Sequence, residues 1–366
     1  MGERESSLEN VVSSWRNRKV FLTGHTGFKG GWLSLWLASL GAKVRGYSRT
    51  PATQSNMFGL ASAGSTIESV SGDVLDSANL EAALHEFAPE VVFHLAGQAI
   101  LRRSYDEPVR TFAANVMGTA HLLEAVRKTS SVRAVVCVTT DKVYQKQDWE
   151  WPYRETDPLG GFDPYSSSKA CAEIVAASYR NSFFPVSRWK EHGVGVATVR
   201  AGNVFGGGDW GKDRLIPDLI RGFQAGEPIR IRRPQSTRPW QHVLEPLHGY
   251  LMLAERLLEN PEKLSPSFNF GPREEDAWTV GQIATKLAGM WGDGASWISD
   301  EEKHVEELRA LRLDASRAHA ELGWRPRLHI ETALEWSLLW YQAWQRKVDM
   351  KSFTMAQIGE YERLEG

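Results

Sequence analysis

A threonine, an aspartate and a lysine stand side by side at Thr140, Asp141 and Lys142, and Tyr165-Ser-Ser-Ser-Lys169 follows. A phenol and an ammonium four residues apart share one face of a helix. With the Thr140 hydroxyl they can take the proton of an alcohol while hydride leaves its carbon. A free phenol, with a pKa of about 10, is too weak a base at neutral pH, and a neighbouring ammonium favours its ionised form. Asp141 and Lys142 are surplus to that chemistry and add one acid and one base. The bland alternatives are an ion pair at a strand end and a chance Tyr-x-x-x-Lys spacing.

Positioning these groups requires strands and helices in a particular order. Ala134-Val-Val-Cys-Val-Thr-Thr140 reads as a buried parallel strand, and Tyr165 opens a helix. Upstream, strands are expected at 20–23, 43–48, 69–74 and 91–96. Helices are expected at 30–40, from the Asp76 N-cap to Phe87, and from 108 to 127, with another strand at 194–199. This alternation predicts an α/β fold, a doubly wound parallel sheet of the Rossmann type, whose ligands bind beyond the carboxyl ends of the strands. After residue 200 the rhythm changes. A loop, Gly206-Gly-Gly-Asp-Trp-Gly211, precedes a helix at 215–224, a basic strand at 229–233 and helices at 243–258, 280–291 and 330–345. We therefore expect a dinucleotide-binding domain over 18–204, with a possible return segment near 236–260. A smaller mixed α/β substrate domain covers 205–350, and 1–17 and 351–366 are tails.

Thr23-Gly-His-Thr-Gly-Phe-Lys-Gly30 joins the first strand to its helix with glycines at 24, 27 and 30. Such a turn lets backbone amides at a helix N-terminus approach a pyrophosphate. Gly24, Thr26, Gly27, Phe28, Lys29 and Gly30 are thus cofactor candidates. Asp73 either meets the adenine side or ends a strand. The second strand ends in Tyr47-Ser48-Arg49, without the acid that usually favours NAD. Arg49 either binds the additional phosphate of NADP or is a surface charge, so the residues leave NAD and NADP both open.

The chain has 366 residues, a formal net charge of -2 and 24% charged residues, which argues against nucleic acid as the main partner. No apolar run reaches the roughly 18 residues of a membrane span. Two cysteines, Cys137 and Cys171, and no visible secretory signal suggest a reducing, cytoplasmic setting. His25, His94, His121 and His242 lack metal-ligand spacing, so no metal is expected. The first three read as structural, and His242 as a candidate for the substrate site.

From about Arg18 to Arg346 the chain resembles the extended short-chain dehydrogenase/reductases acting on nucleotide sugars. The matching segments include His94-Leu-Ala-Gly-Gln98, Asn115-Val-Met-Gly-Thr119 and Arg200-Ala-Gly-Asn-Val204. Within that group it is most similar to the CDP-glucose 4,6-dehydratases. The strings 23–32, Thr140-Asp-Lys-Val-Tyr144, Gly206-Gly-Gly-Asp-Trp210 and Arg238-Pro-Trp-Gln-His-Val243 carry the likeness. The resemblance implies NAD as cofactor, held also by Val74, Leu95, Ala96, Gly97, Asn115, Tyr165 and Lys169. It implies C4 oxidation with Tyr165 as base, loss of water across C5 and C6, and return of hydride to C6. Asp141 would be the acid. Lys142 stands where dTDP-glucose dehydratases have a glutamate, and a lysine serves as base there only as the neutral amine, which burial and nearby positive charge favour.

For the nucleotide sugar, arginine suits the diphosphate through its planar fork. Arg238 is the first candidate. Gln98, Arg103, Ser104, Asn203, Asp209, Trp210, Arg214, Trp240 and His242 are further substrate candidates, with a solvated or structural role as the alternative. Trp210 would stack on the base, and Lys29 would touch a phosphate. Arg230, Arg232 and Arg233 read as the outer face of a strand. The resemblance also implies a homodimer paired through helices that include the Tyr165 helix, and a place in 3,6-dideoxyhexose or related deoxysugar synthesis for surface polysaccharide. The CDP assignment rests on resemblance alone. A 4-epimerase or reductase on the same scaffold has no leaving hydroxyl for Asp141 to protonate. A non-catalytic protein of this fold would have lost part of the Thr140, Tyr165 and Lys169 set.

Overall fold

The computed structural model describes residues 14–51, 53–147, 149–300 and 310–365. Seven strands form one parallel sheet: β1 (Lys19–Thr23), β2 (Lys43–Ser48), β3 (Glu68–Ser71), β4 (Val91–His94), β5 (Ala134–Val138), β6 (Gly195–Ala201) and, late in the chain, Ser267–Phe270. Short strands β7 (Val204–Phe205), β8 (Ile229–Ile231) and β9 (Gln241–His242) come between, which makes Ser267–Phe270 β10, and β11 is Trp297–Ser299. The spatial order is β10-β6-β5-β4-β1-β2-β3, with β7 paired to β9 and β8 to β11. The order reverses between β1 and β4, so the binding crevice opens at their carboxyl ends.

Alternation along each strand sends side chains to two cores. Val20, Leu22, Val91, Phe93 and Val136 face one core, under the helices Phe28–Ser39, Leu244–Glu259 and Ile330–Gln345. Phe21, Val92, Val135 and Cys137 face the other, under Ser77–Phe87, Gly118–Arg127 and Pro164–Ser182. Caps fix several starts. Asp76 accepts from the Asn79 amide at 3.1 Å, and Asp163 from the Ser166 amide at 2.9 Å ahead of Pro164. Thr279 and Gln282 form a capping box.

Several expectations need correction. The helix expected over 108–127 is interrupted, with Pro108–Phe112 and Gly118–Arg127 joined by a π-helical turn at Ala113–Met117 that carries Asn115 inward. β3 ends at Ser71 rather than Val74, and β8 at Ile231 rather than Arg233. Residues 351–366 are largely a helix, Met350–Arg363, and not a tail. It is docked by Tyr361 Oη donating to Glu245 Oε2 at 2.8 Å and Trp36 Nε1 donating to Glu362 Oε1 at 2.7 Å. Most of the tail expected at 1–17 lies outside the described residues, but Trp15 is fully buried and packs 6.2 Å from Phe93. Among the described residues no helix is long and apolar enough to cross a membrane.

Candidate active site

The loop after β1 is shaped for an anion. Gly24 has φ +78°, and a Cβ there would lie 2.7 Å from the Ala96 amide nitrogen, at the end of β4. A Cβ on Gly30 would lie 2.1 Å from the Gly24 carbonyl oxygen. The helix Phe28–Ser39 starts at Gly27 with no side-chain cap, so its first amides are left for a ligand. These features fit a dinucleotide pyrophosphate. Gly30→Ala should weaken dinucleotide binding by at least roughly tenfold, about 1.4 kcal/mol, measured by titration calorimetry.

Polar contacts hold this loop. Thr26 Oγ1 lies 2.8 Å from Ser48 Oγ and donates to the Arg49 carbonyl at 2.9 Å. His25 is buried beneath, 2.7 Å from Ser69 Oγ, and burial pushes its pKa down to about 4. His94 links Thr23 and Thr119 at 2.8 and 3.2 Å, and burial together with Lys169 lowers its pKa to about 3. His121 contacts the Val74 carbonyl at 2.9 Å. All three are held by hydrogen bonds within the fold. Arg49 is half-exposed and pairs with Asp73 at 3.8 Å. The acid missing from the end of β2 thus stands beyond β3, and an additional ribose phosphate would meet its charge. Asn115 accepts from the Gln98 amide at 2.8 Å and donates to the Gln98 carbonyl and Ser168 Oγ at 3.0 and 2.8 Å. A Cβ on Gly97 would lie 2.6 Å from Asn115 Oδ1 and 3.2 Å from Lys169 Nζ.

The chemistry-bearing side chains converge at the end of β5. Thr140 begins the short turn Asp141–Val143, and its hydroxyl donates to Asp141 Oδ1 at 2.9 Å. Asp141 is 2% exposed and its Oδ2 has no hydrogen-bond partner among the described residues. Burial raises its pKa, against the opposing effects of Lys142, Thr140, Arg238 and Lys29. Tyr165 is buried on the helix Pro164–Ser182, and burial lifts its phenol to about 12, opposed by a hydrogen bond with Thr140 and by Arg214. Lys169 donates to the Val138 carbonyl at 3.1 Å, and burial lowers its pKa to about 8. Its ammonium form therefore prevails below pH 8.

Residues 21–336 match the family described as GDP-mannose 4,6 dehydratase. The chain belongs to that family. It is an extended short-chain dehydrogenase/reductase, and it is 50% identical to the CDP-glucose 4,6-dehydratase of Salmonella typhimurium, over 95% of this chain and 97% of that enzyme. Among solved structures it resembles MoeE5 in complex with UDP-glucose and NAD (TM-score 0.76, 24% identity, 89% of this chain and 99% of that one). It also resembles the dTDP-glucose 4,6-dehydratase of Bacillus anthracis in complex with NAD (TM-score 0.73, 20% identity, 90% and 98%). At those identities the structures speak for the fold.

Within this dehydratase-family fold the expected substrate residues divide. Arg238 is buried, influences Asp141 and donates to the Thr237 carbonyl at 2.9 Å. Asp209 pairs with Arg214 at 2.7 Å, placing that guanidinium beside Tyr165. Asn203 is half-buried where β7 begins, and its carbonyl accepts from Gln241. Others have local duties. Gln98 donates to the Ile100 carbonyl and Thr111 Oγ1 at 2.9 and 3.0 Å, Ser104 donates to Leu101, and Arg103 pairs with Glu107 at 3.2 Å.

Three of the candidates are held by aromatic packing. Trp210 packs edge-on against Trp340, Tyr341 and Trp344, at 5.7, 5.4 and 5.0 Å, so it anchors the loop to the helix Ile330–Gln345. His242 has no exposed surface and sits among Trp32, Phe205 and Trp336. Trp240 is buried and donates to the Trp278 carbonyl at 3.0 Å. Trp240 and His242 are thus enclosed by packing, whereas Trp210 is only partly buried and keeps exposed surface. Arg232 is not a bare outer-face charge either, since Asp213 pairs with it at 3.7 Å and with Arg102 at 3.1 Å.

The sequence reading missed a buried network behind Thr140. Glu173 accepts from Thr139, Thr198 and both Arg200 Nε and Nη2, and Arg200 also donates to the Tyr144 phenol at 2.9 Å. Glu173 and Lys169 are four apart on one helix, so the face that carries the tyrosine and lysine held a signal for it. The nearness of Tyr250 to Lys29 had none.

Proposed function

We propose that this chain is an NAD-dependent 4,6-dehydratase that converts CDP-glucose to CDP-4-keto-6-deoxyglucose, a hydro-lyase. The observation that carries this is Asp141, buried beside Thr140 at the carboxyl end of β5 with one oxygen unpartnered. An acid in that position serves a leaving hydroxyl, which epimerisation and simple reduction lack. The choice of CDP-glucose rests on the Salmonella relative, 50% identical over nearly its whole length.

The glycine loop, Asp73, Gly97, Asn115 and Lys169 would hold NAD, which accepts hydride from C4 and later supplies it to C6. Tyr165 takes the proton of the C4 hydroxyl, and Thr140 hydrogen-bonds the same oxygen. A phenol at about 12 needs nearby positive charge to do this at neutral pH, and Arg214 and Lys169 stand around it. The C4 ketone acidifies the C5 proton, which Lys142 removes. Asp141 gives its proton to the C6 hydroxyl, and water leaves. Arg238 and Arg214 bind the diphosphate side.

Incubation with CDP-glucose and NAD in deuterated buffer tests this reading. A C6 methyl group with deuterium at C5, read by NMR, is expected. No methyl product from CDP-glucose would overturn it. Lys142→Met should retain cofactor affinity and lose C5 exchange with solvent by at least about 10²-fold, and normal exchange would remove Lys142 from the mechanism.

The assembly we propose is a homodimer. Val109, Met117 and Ile174 are 82%, 48% and 58% exposed, on the helices Pro108–Phe112 and Pro164–Ser182 and the turn Ala113–Met117, beside half-exposed Tyr105 and Phe112. A patch of that kind favours burial against a partner. Ile174→Asp should yield monomers by light scattering at micromolar concentration. We place the enzyme in the cytoplasm, a setting that suits the free thiols Cys137 and Cys171.

A further inference from the structure

The helix Pro164–Ser182 carries Tyr165, Lys169 and Glu173 at intervals of four, so the three share one face. Lys169 reaches the end of β5 by donating to the Val138 carbonyl at 3.1 Å. Glu173 grips the chain one residue further on. Its Oε1 accepts from Thr139 Oγ1 at 2.5 Å and Arg200 Nε at 2.9 Å, and its Oε2 from Thr198 Oγ1 at 2.6 Å and Arg200 Nη2 at 3.0 Å. Arg200 Nη1 then donates to the Tyr144 phenol at 2.9 Å, and the phenol donates to Asn269 Oδ1 on β10 at 2.6 Å. Asn269 is itself fixed, donating to the Tyr153 and Asp314 carbonyls at 2.9 and 3.1 Å. Glu173, Arg200, Tyr144 and Asn269 are all buried.

Chain order gives this network a use beyond packing. Thr139 immediately precedes Thr140, and Tyr144 comes two residues after Lys142, so the network holds the chain on both sides of the reacting groups. On the near side the strand secures Thr140 as well, since the Thr139 amide donates to the Val199 carbonyl at 2.9 Å. Inside the turn Asp141–Val143 the backbone tie to Thr140 is weak, with the Lys142 amide 3.4 Å from Thr140 Oγ1, long for a hydrogen bond. On the far side the Val143 carbonyl accepts from the Gly160 amide and the Gln145 amide donates to the Pro158 carbonyl, both at 2.8 Å. Those bonds fix the backbone along one direction. The phenol adds the direction toward β6, and as donor and acceptor between two anchored partners it has a single orientation.

We propose that Tyr144 is a positioning residue for the elimination: its phenol is the far end of a buried tether that sets Asp141 and Lys142 against the helix of Tyr165 and Lys169. This rests on the dehydratase reading. Oxidation at C4 uses Tyr165, Lys169 and Thr140, which the helix and β5 hold without Tyr144. Loss of water uses Asp141 and Lys142, which lie between Thr140 and the phenol. Cutting the far end therefore lets the acid and the base drift while the oxidising groups stay in place. A displacement of about 1 Å is enough to slow a step by up to about 10²-fold.

Two full-length variants separate this from a packing role. Tyr144→Phe removes the phenol oxygen and keeps the ring, which stacks on Tyr153 at 4.9 Å. Leu313→Ala loosens the same small apolar cluster and leaves the phenol bonds intact. Rapid mixing with CDP-glucose reads C4 oxidation through the near-ultraviolet absorbance of reduced nicotinamide, and NMR reads C6 methyl formation. Tyr144→Phe should slow methyl formation about tenfold and oxidation far less, so that the absorbance accumulates. Leu313→Ala should keep the wild-type ratio of the two rates. Independently of turnover, amide hydrogen exchange in the NAD-loaded protein should quicken over 140–145 in Tyr144→Phe and stay unchanged over 165–173. Equal slowing of both half-reactions in Tyr144→Phe, the same imbalance in Leu313→Ala, or wild-type exchange over 140–145 would overturn the proposal. A wild-type chain that makes no methyl product from CDP-glucose would instead bring down the dehydratase reading, and the exchange contrast would then decide the tether by itself. Should Tyr144→Phe fail to fold, Arg200→Lys keeps a cation for Glu173 but lacks the second nitrogen that reaches Tyr144, and the same readouts apply.

Discussion

Asp141→Asn is expected to stop the reaction after C4 oxidation. The amide keeps the shape of the acid and can accept from Thr140, but it has no proton to give to the C6 hydroxyl. Tyr165, Thr140 and Lys169 remain in place, so oxidation continues and reduced nicotinamide builds up on addition of CDP-glucose. Methyl formation should fall by about 10²–10⁴-fold, the usual worth of a general acid. Stopped-flow absorbance and NMR on the same sample check both halves. Loss of oxidation and elimination in equal measure would mean that Asp141 organises the site rather than donates.

The second large effect is on stability. Arg200 and Glu173 are each 3% exposed at the side chain and meet through two N–H···O bonds, Nε to Oε1 at 2.9 Å and Nη2 to Oε2 at 3.0 Å. Arg200→Met leaves the Glu173 carboxylate buried with only threonine donors, at a cost of about 3–5 kcal/mol. In a domain of this size that lowers Tm by roughly 10 °C. The pH dependence identifies the cause. Burial alone would raise the Glu173 pKa, but Arg200 and the two threonines outweigh it and hold it below the ordinary carboxyl value. A depressed pKa in the folded state gives stability that is present above the unfolded value, about 4.3, and lost as pH falls through the folded one. In Arg200→Met burial wins and the sign reverses, so the variant should regain part of its stability as the pH drops toward about 5. Calorimetric scans at pH 5 and pH 7.5 distinguish this from a packing defect, whose cost is indifferent to pH.

Most of the doubly wound core could be read from the residues because its signals are local. Asp76 caps its helix through Asn79, and Asp163-Pro164 starts the tyrosine helix. β10 escaped because Ser267-Phe-Asn-Phe270 is four residues long, and its buried Asn269 reads as polar until its acceptance from the Tyr144 phenol at 2.6 Å is known. The helix Met350–Arg363 escaped for a related reason. It turns Thr354 and Gln357 inward, where they bond Trp340 and the Trp336 carbonyl, so no clean apolar stripe marks it. In the site, the tyrosine, lysine and threonine are spaced by single elements and were legible. Contacts such as Lys29 with Tyr250, 221 residues apart, depend on tertiary packing that no local pattern encodes. Trp240 and His242 show the opposite case, in which a motif residue expected at the substrate is enclosed by tertiary packing.

The late arrival of β10 has a consequence during synthesis. β6 is buried along all seven residues, yet one of its edges stays unpaired until Ser267–Phe270 has been made. Translation at roughly 5–20 residues per second leaves that apolar edge open for several seconds, along with the surface that Leu244–Glu259 covers. An exposed edge strand is a template for pairing between chains. Slow ribosome passage between codons 201 and 270, or a stop anywhere within it, should therefore send this protein into aggregates even though every residue of the tyrosine and lysine pair has already been made.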